Sequence, residues 1–219
     1  MASPLAYEQP SLNKAWQAFI PHFPTFLLIW LATAVFAGIG AGVSSLITSG
    51  EGGSSDFLTL ALSDLGQAPF GILSSLVGVV AAAVPAMYYS SGEIITPKAA
   101  FQSLLGRPLR YFLAGLLFTI AATAGFLACI LPGIAVGLVM PVYVNLIFTT
   151  DRPILDAFAA SFNQVYGSSN GFTFVRIQVL AGLVVVIFSV CTCGLGAFVA
   201  VPVANFYIQN AAYQRGMIS

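Results

Sequence analysis

The sequence predicts an all-α integral membrane protein with six transmembrane helices. Three observations carry that prediction: an apolar composition, six long runs without a charged residue, and cations confined to alternate connections. Of the 219 residues, 58% are hydrophobic and only 6% are charged, and the mean hydropathy is +0.95. A soluble domain keeps about a quarter of its residues charged to cover its surface, so this chain must be solvated by lipid.

A helical crossing needs about 20 apolar residues. Residues 23–47, 69–92, 111–130, 131–150, 177–194 and 195–213 all lack Asp, Glu, Lys and Arg. The last two pairs are joined by tight turns, the final one through "CTCGLG", so each pair is expected to be an antiparallel hairpin. Barrel strands would alternate in character over about 10 residues, whereas these runs are apolar throughout. Helices satisfy their own backbone hydrogen bonds, as lipid demands. Residues 1–10 read as a polar segment ahead of a single domain, residues 11–219. The first twenty residues have no basic start, compact apolar stretch or small-residue cleavage site, so no secretory leader is expected. Ala2 and the final "QRGMIS" fit no lipidation pattern, so the chain is expected to be kept whole.

Six crossings put both termini and the connections after the second and fourth crossings on one side. Lys14, Lys98, Arg107, Arg110, Arg152, Arg176 and Arg215 all fall there, while the opposite connections hold Glu51, Asp56 and Asp64 and no cation. The positive-inside rule then places both termini in the cytoplasm. Asp151, Arg152 and Asp156 accordingly belong to the cytoplasmic membrane edge. They read as the hinge between a proline-kinked crossing and a surface helix, with Asp156 favoured in that helix's first turn.

Internal similarity suggests three repeats of a surface helix plus a transmembrane hairpin. Pro85 and Pro141 are each followed twelve residues later by another proline, Pro97 and Pro153. An Ala-Phe pair comes next (Ala100-Phe101, Ala157-Phe158), then Ser103 or Ser161. A looser copy opens the chain with Pro10 and Ala15-Trp16, and Pro202 and Tyr207 repeat the other end. Each short helix is amphipathic: Leu12, Trp16, Phe19 and Ile20 in the first, Ile154, Phe158, Phe162 and Val165 in the third. Such helices are expected to lie flat in the membrane interface, ending at the breakers "PHFP", "GRP" and "GSSNG". Trp16, Phe101 and Phe158 hold equivalent places and are the candidates for contact with lipid or a partner.

The stretch "LPGIAVGLVMPVYVNLIFTTDRPILDAFAASFNQVYGSSNG" resembles a broad group of bacterial six-span proteins of unknown function. That group includes the membrane domain attached to some glycerophosphodiester phosphodiesterases. The shared pattern is Pro132-Gly133 at a span start, a charged turn at Asp151 and Arg152, Ala157 and Ser161 on a surface helix, then Gly167 and Asn170. The resemblance implies a six-helix bacterial inner-membrane protein, in some cases linked to envelope maintenance. The chain has no phosphodiesterase domain, so that activity is not carried over.

Catalytic signals are absent from the sequence. His22 is the only histidine, with no partners at metal-ligand spacing, and reads as a headgroup contact. There is no HExxH, GxSxG or P-loop pattern, so the expectation is a protein that is not an enzyme and has no cofactor, metal or nucleic-acid partner. Intramembrane charges are costly and usually functional, and the six runs contain none. Their polar candidates are Asn145, Gln178 and Asn205, which either line a small-solute path or make interhelical hydrogen bonds of about 1 kcal/mol or less. Gly38, Gly40, Gly42, Gly133 and Gly137 are expected to allow close helix approach, within the chain or to another subunit. Cys129, Cys191 and Cys193 fall at two hairpin turns, where a disulfide from Cys129 to Cys191 or Cys193 is one reading and plain packing the other. The functional expectation is a non-catalytic membrane protein that organises lipid or partner membrane subunits. The alternative is a small-solute transporter or channel with a neutral polar path.

Overall fold

The computed structural model describes residues 2–50 and 57–218, and all regular structure among them is helical. A short 3-10 turn, Pro4–Tyr7, precedes α1 (Leu12–Gly50), α2 (Phe57–Ser91), α3 (Pro97–Gly106) and α4 (Pro108–Ala128). Then come α5 (Ile130–Thr149), α6 (Ile154–Gly167), α7 (Gly171–Cys191) and α8 (Ala197–Gln214). Among the described residues, five helices are long and apolar enough to cross a membrane: α1, α2, α4, α5 and α7. The sixth apolar run became α8, which is 18 residues long and carries Asn205, Gln209, Asn210 and Gln214. Neighbours in sequence pack together as α1 on α2, α4 on α5 and α7 on α8. The central helix is α5, which touches α2, α4, α6 and α8 and buries Val139, Val142, Tyr143, Leu146 and Ile147.

The first departure from expectation is at "PHFP". Instead of breaking there, α1 runs straight through Pro21 and Pro24. Each proline removes one backbone donor and would ordinarily bend or end the helix. Packing outweighs that cost: Ala18, Phe19, His22 and Phe26 are all buried around the two prolines. The first surface helix is therefore continuous with the first crossing, and only α3 and α6 stand as separate short helices.

The second departure is at the start of α2. It begins at Phe57 rather than near residue 69, so Asp64 lies on a helix and not in a connection. Small residues zip this end of the α1–α2 pair. Ser44 and Ser63 hydroxyls meet at 2.6 Å, a Cβ on Gly40 would lie 3.1 Å from the Phe70 side chain, and one on Gly66 would lie 2.8 Å from Ile47. Glu51 and Asp56 lie outside the described residues. At 1.5 Å per residue, α1 and α2 are about 58 and 52 Å long, against a hydrocarbon layer of about 30 Å. The pair also overhangs its neighbours. Trp30 meets Phe198 at 5.2 Å, near the α7–α8 turn, yet α1 continues for twenty residues, about 30 Å, beyond that contact.

The third departure concerns α6. Phe158 meets Tyr143 of α5 edge-on at 5.5 Å, and the Tyr166 hydroxyl donates to the Ala135 carbonyl at 2.7 Å. The two contacts step by eight residues in opposite directions, so α6 runs back alongside α5. Its apolar face is turned to the bundle, with Ala157, Ser161 and Val165 buried. The expected flat placement gives way because Phe158 and Tyr166 at the two ends of this face both bind α5, while Phe158, Phe162 and Tyr166 line up along α6 as tilted rings 5.1 and 5.9 Å apart.

Candidate functional site

The most concentrated polar feature is where α5 meets α8. Asn145, fully buried, donates from Nδ2 to Gln209 Oε1 and to the Tyr213 hydroxyl, both at 3.1 Å. Thr149, one turn on, donates to Asn145 Oδ1 at 3.0 Å. Gln209 Nε2 then donates to the Pro141 carbonyl at 2.8 Å. One turn of α5 and one turn of α8 are thus tied by side chains that satisfy one another, as buried polar groups must.

A strap formed by the chain's start closes this network from one end. Asn210 Nδ2 donates to the carbonyls of Ala6 (2.9 Å) and Glu8 (3.1 Å). Ser3 N–H donates to the Tyr89 carbonyl at 3.1 Å, and the Tyr7 ring meets Tyr213 edge-on at 6.1 Å. Glu8 pairs with Lys14 at 2.7 Å and so fixes the strap to the start of α1.

Of the three polar residues singled out from sequence, Asn145 is the centre of the network. Gln178 is buried and donates to the Leu138 carbonyl at 2.9 Å, joining α7 to α5. Asn205 is half-buried and outside the network. Sequence reasoning missed Gln209, Asn210 and Tyr213. A signal was present: Asn205, Gln209 and Tyr213 recur every fourth residue, which puts them on one helical face.

His22 is corrected by the structure, being fully buried rather than at a headgroup boundary. Its Nδ1 lies 2.6 Å from the Ala18 carbonyl and its Nε2 lies 3.0 Å from the Ile95 N–H. A carbonyl only accepts and an N–H only donates, so His22 is the neutral tautomer with its proton on Nδ1. Thr25 adds a bond to the Ile95 carbonyl at 2.8 Å. Together the two side chains clip the α2–α3 connection to α1.

The charged cluster separates by role. Asp151 pairs with Arg107 from the α3–α4 junction, and that hydrogen bond and charge hold its carboxyl below the usual carboxylate range. Arg110 donates to the carbonyls of Ile147 (3.4 Å) and Thr150 (2.9 Å), capping the end of α5. Arg152 is exposed, and Asp156 sits in the first turn of α6. Cys129, Cys191 and Cys193 are free, exposed thiols, so the bridge is not among the links of this structure.

Two of the three aromatic candidates line outward-facing grooves. Trp16 closes one end of a groove of about 370 Å³ between α7 and α8, whose walls include Leu180, Val184, Phe188 and Val203. Phe101 lines another of about 390 Å³ between α1 and α3. Phe158 does not share their setting, because its ring packs on Tyr143 and Phe162. Among the described residues, no group of three or more His, Cys, Asp or Glu side chains could hold a metal ion. No protein-family model, curated protein or solved structure matches the chain.

Proposed function

We propose that this is a non-catalytic, polytopic membrane protein that organises lipid or associates with partner membrane subunits. The observation that carries the reading is a division of labour among side chains. The polar side chains where α5 meets α8 are used on one another at Asn145, Gln209 and Tyr213, while the grooves open outward and are walled mainly by apolar residues. A solute path would need polar groups left free along a cavity, whereas an acyl chain needs only an apolar groove. In this reading the chain crosses the membrane six times, α8 being the sixth crossing. Both termini are cytoplasmic in a bacterial inner membrane, in keeping with the six-span group it resembles.

Trp16→Ser combined with Phe101→Ser tests the function. The double variant should insert normally, since the crossings keep their hydropathy, and should lose lipid that copurifies in mild detergent. Asn145→Leu with Asn205→Leu should keep that lipid. Proteoliposome swelling in glycerol or urea that depends on the protein, and that the asparagine variant abolishes, would establish the transporter alternative instead. Orientation is tested in a background with Cys129, Cys191 and Cys193 changed to Ser. An impermeant thiol reagent outside intact cells should label Ser54→Cys and spare Ser168→Cys, and the opposite pattern would invert the topology.

A further inference from the structure

We propose that the groove between α1 and α3 binds one acyl chain of an anionic phospholipid, with the lipid phosphate on Lys98. The inference rests on the lipid-organising reading and names the lipid class for this one groove. Its walls are Leu28, Leu31, Val35 and Phe36 from α1 and Phe101 from α3, and its single charged lining residue is Lys98. Leu28 to Phe36 is a continuous stripe at helical spacing, eight rises or about 12 Å long. One leaflet of hydrocarbon is about 15 Å deep, half of the bilayer core, so the stripe fits most of one acyl chain laid along α1.

Charge selects the headgroup. Lys14 is neutralised by Glu8 and Arg107 by Asp151, Arg110 is engaged on the carbonyls of α5, and Arg176 lies over the Phe172 ring. Lys98 has none of these uses, and the two remaining cations, Arg152 and Arg215, line neither groove. It is in neither ion pair among the described residues, it is exposed, and it stands beside Pro97 at the start of α3. A lysine snorkels by laying its apolar stem along a hydrophobic wall and its ammonium at the headgroups. The groove between α7 and α8 has no cation in its lining and should accept acyl chains without regard to headgroup charge.

The test is native mass spectrometry of the full chain in neutral detergent, with phosphatidylglycerol and phosphatidylcholine of identical acyl chains at equal concentration. One cation at a membrane surface corresponds to about a fivefold preference for the anionic lipid. The native chain and Lys98→Arg should show it, and Lys98→Gln should bind the two lipids equally. Val35→Trp fills the groove from a half-exposed position and should lose one bound phosphatidylglycerol together with the preference. Glycerol 3-phosphate, a headgroup without chains, should not compete. Preference surviving in Lys98→Gln or Val35→Trp, or competition by glycerol 3-phosphate, would overturn the assignment. Binding of both lipids without preference by the native chain would remove this groove and leave the lipid-organising reading standing. Absence of any bound lipid would remove both.

Discussion

His22 shows how one buried ring can tie a helix to a connection more than seventy residues away. Its ring bridges α1 and the α2–α3 connection with one donor and one acceptor, and the Tyr88 and Phe206 rings enclose it at 5.0 and 5.1 Å. His22→Phe keeps an aromatic ring, though a bulkier one, and leaves the Ile95 N–H buried and unpaired, at a cost of at least about 1–3 kcal/mol. Thermal unfolding in detergent should show the loss, and nitrogen-15 spectra of the native chain should show the ring proton on Nδ1. Asp151 offers an independent test outside the crossings. Because Arg107 favours its charged form, the carboxyl should titrate below the ordinary aspartate range and move up in Arg107→Gln. The sign follows directly: the pair exists above the usual carboxylate pKa and is lost as pH falls through the lowered one. Both side chains are exposed, so a carboxyl NMR titration is the measurement, not a melting curve.

At the scale of elements, glycine positions that look alike in sequence separate by what lies opposite them. A Cβ on Gly133 would fall 2.3 Å from the Phe126 ring, whereas one on Gly137 would meet nothing within 4 Å. Gly133→Ala should therefore push α4 from α5 and lower the melting temperature. Gly137→Ala should raise it, since replacing a mid-helix glycine gains about 0.5–1 kcal/mol. Of Gly38, Gly40 and Gly42 in α1, Gly40 faces a neighbour, whereas Gly38 and Gly42 face open space. For α6, Phe158→Ala removes an aromatic contact worth about 1 kcal/mol and should speed hydrogen exchange along the helix. Unchanged exchange would mean that α6 is not held by α5. Element boundaries were legible where breakers agreed with packing, as at Pro108, Thr150 and Cys191. They were not legible at Pro21 and Pro24, where local sequence says stop and buried contacts with distant residues say continue. The start of α2 was missed for a related reason: Ser63 and Gly66 look like loop residues until Ser44 and Ile47 lie opposite them.

The whole molecule is ordered by contacts between its ends. The membrane class followed from composition alone, and Asn145 was visible as a polar residue inside an apolar run. Its partners were half legible: Gln209 and Tyr213 share a helical face in the sequence, but nothing local says that this face meets residue 145. The strap follows the same logic, for Asn210 reaches a carbonyl 204 positions away. Asn210→Ala should release residues 2–10 and raise their hydrogen exchange without disturbing α4 and α5.

That long reach also sets an order of events in time. A ribosome adds roughly 5–20 residues per second, so Asn210 is made roughly 10–40 s after Ala6. Throughout that interval Ala6 has no Asn210 to receive it, although most of the crossings have already emerged. Chains arrested before residue 197 should be reactive at a cysteine introduced at Ala6, a position fully buried in the complete chain. Assembly of this bundle thus closes late, with α8 fastening residues made 204 positions before Asn210.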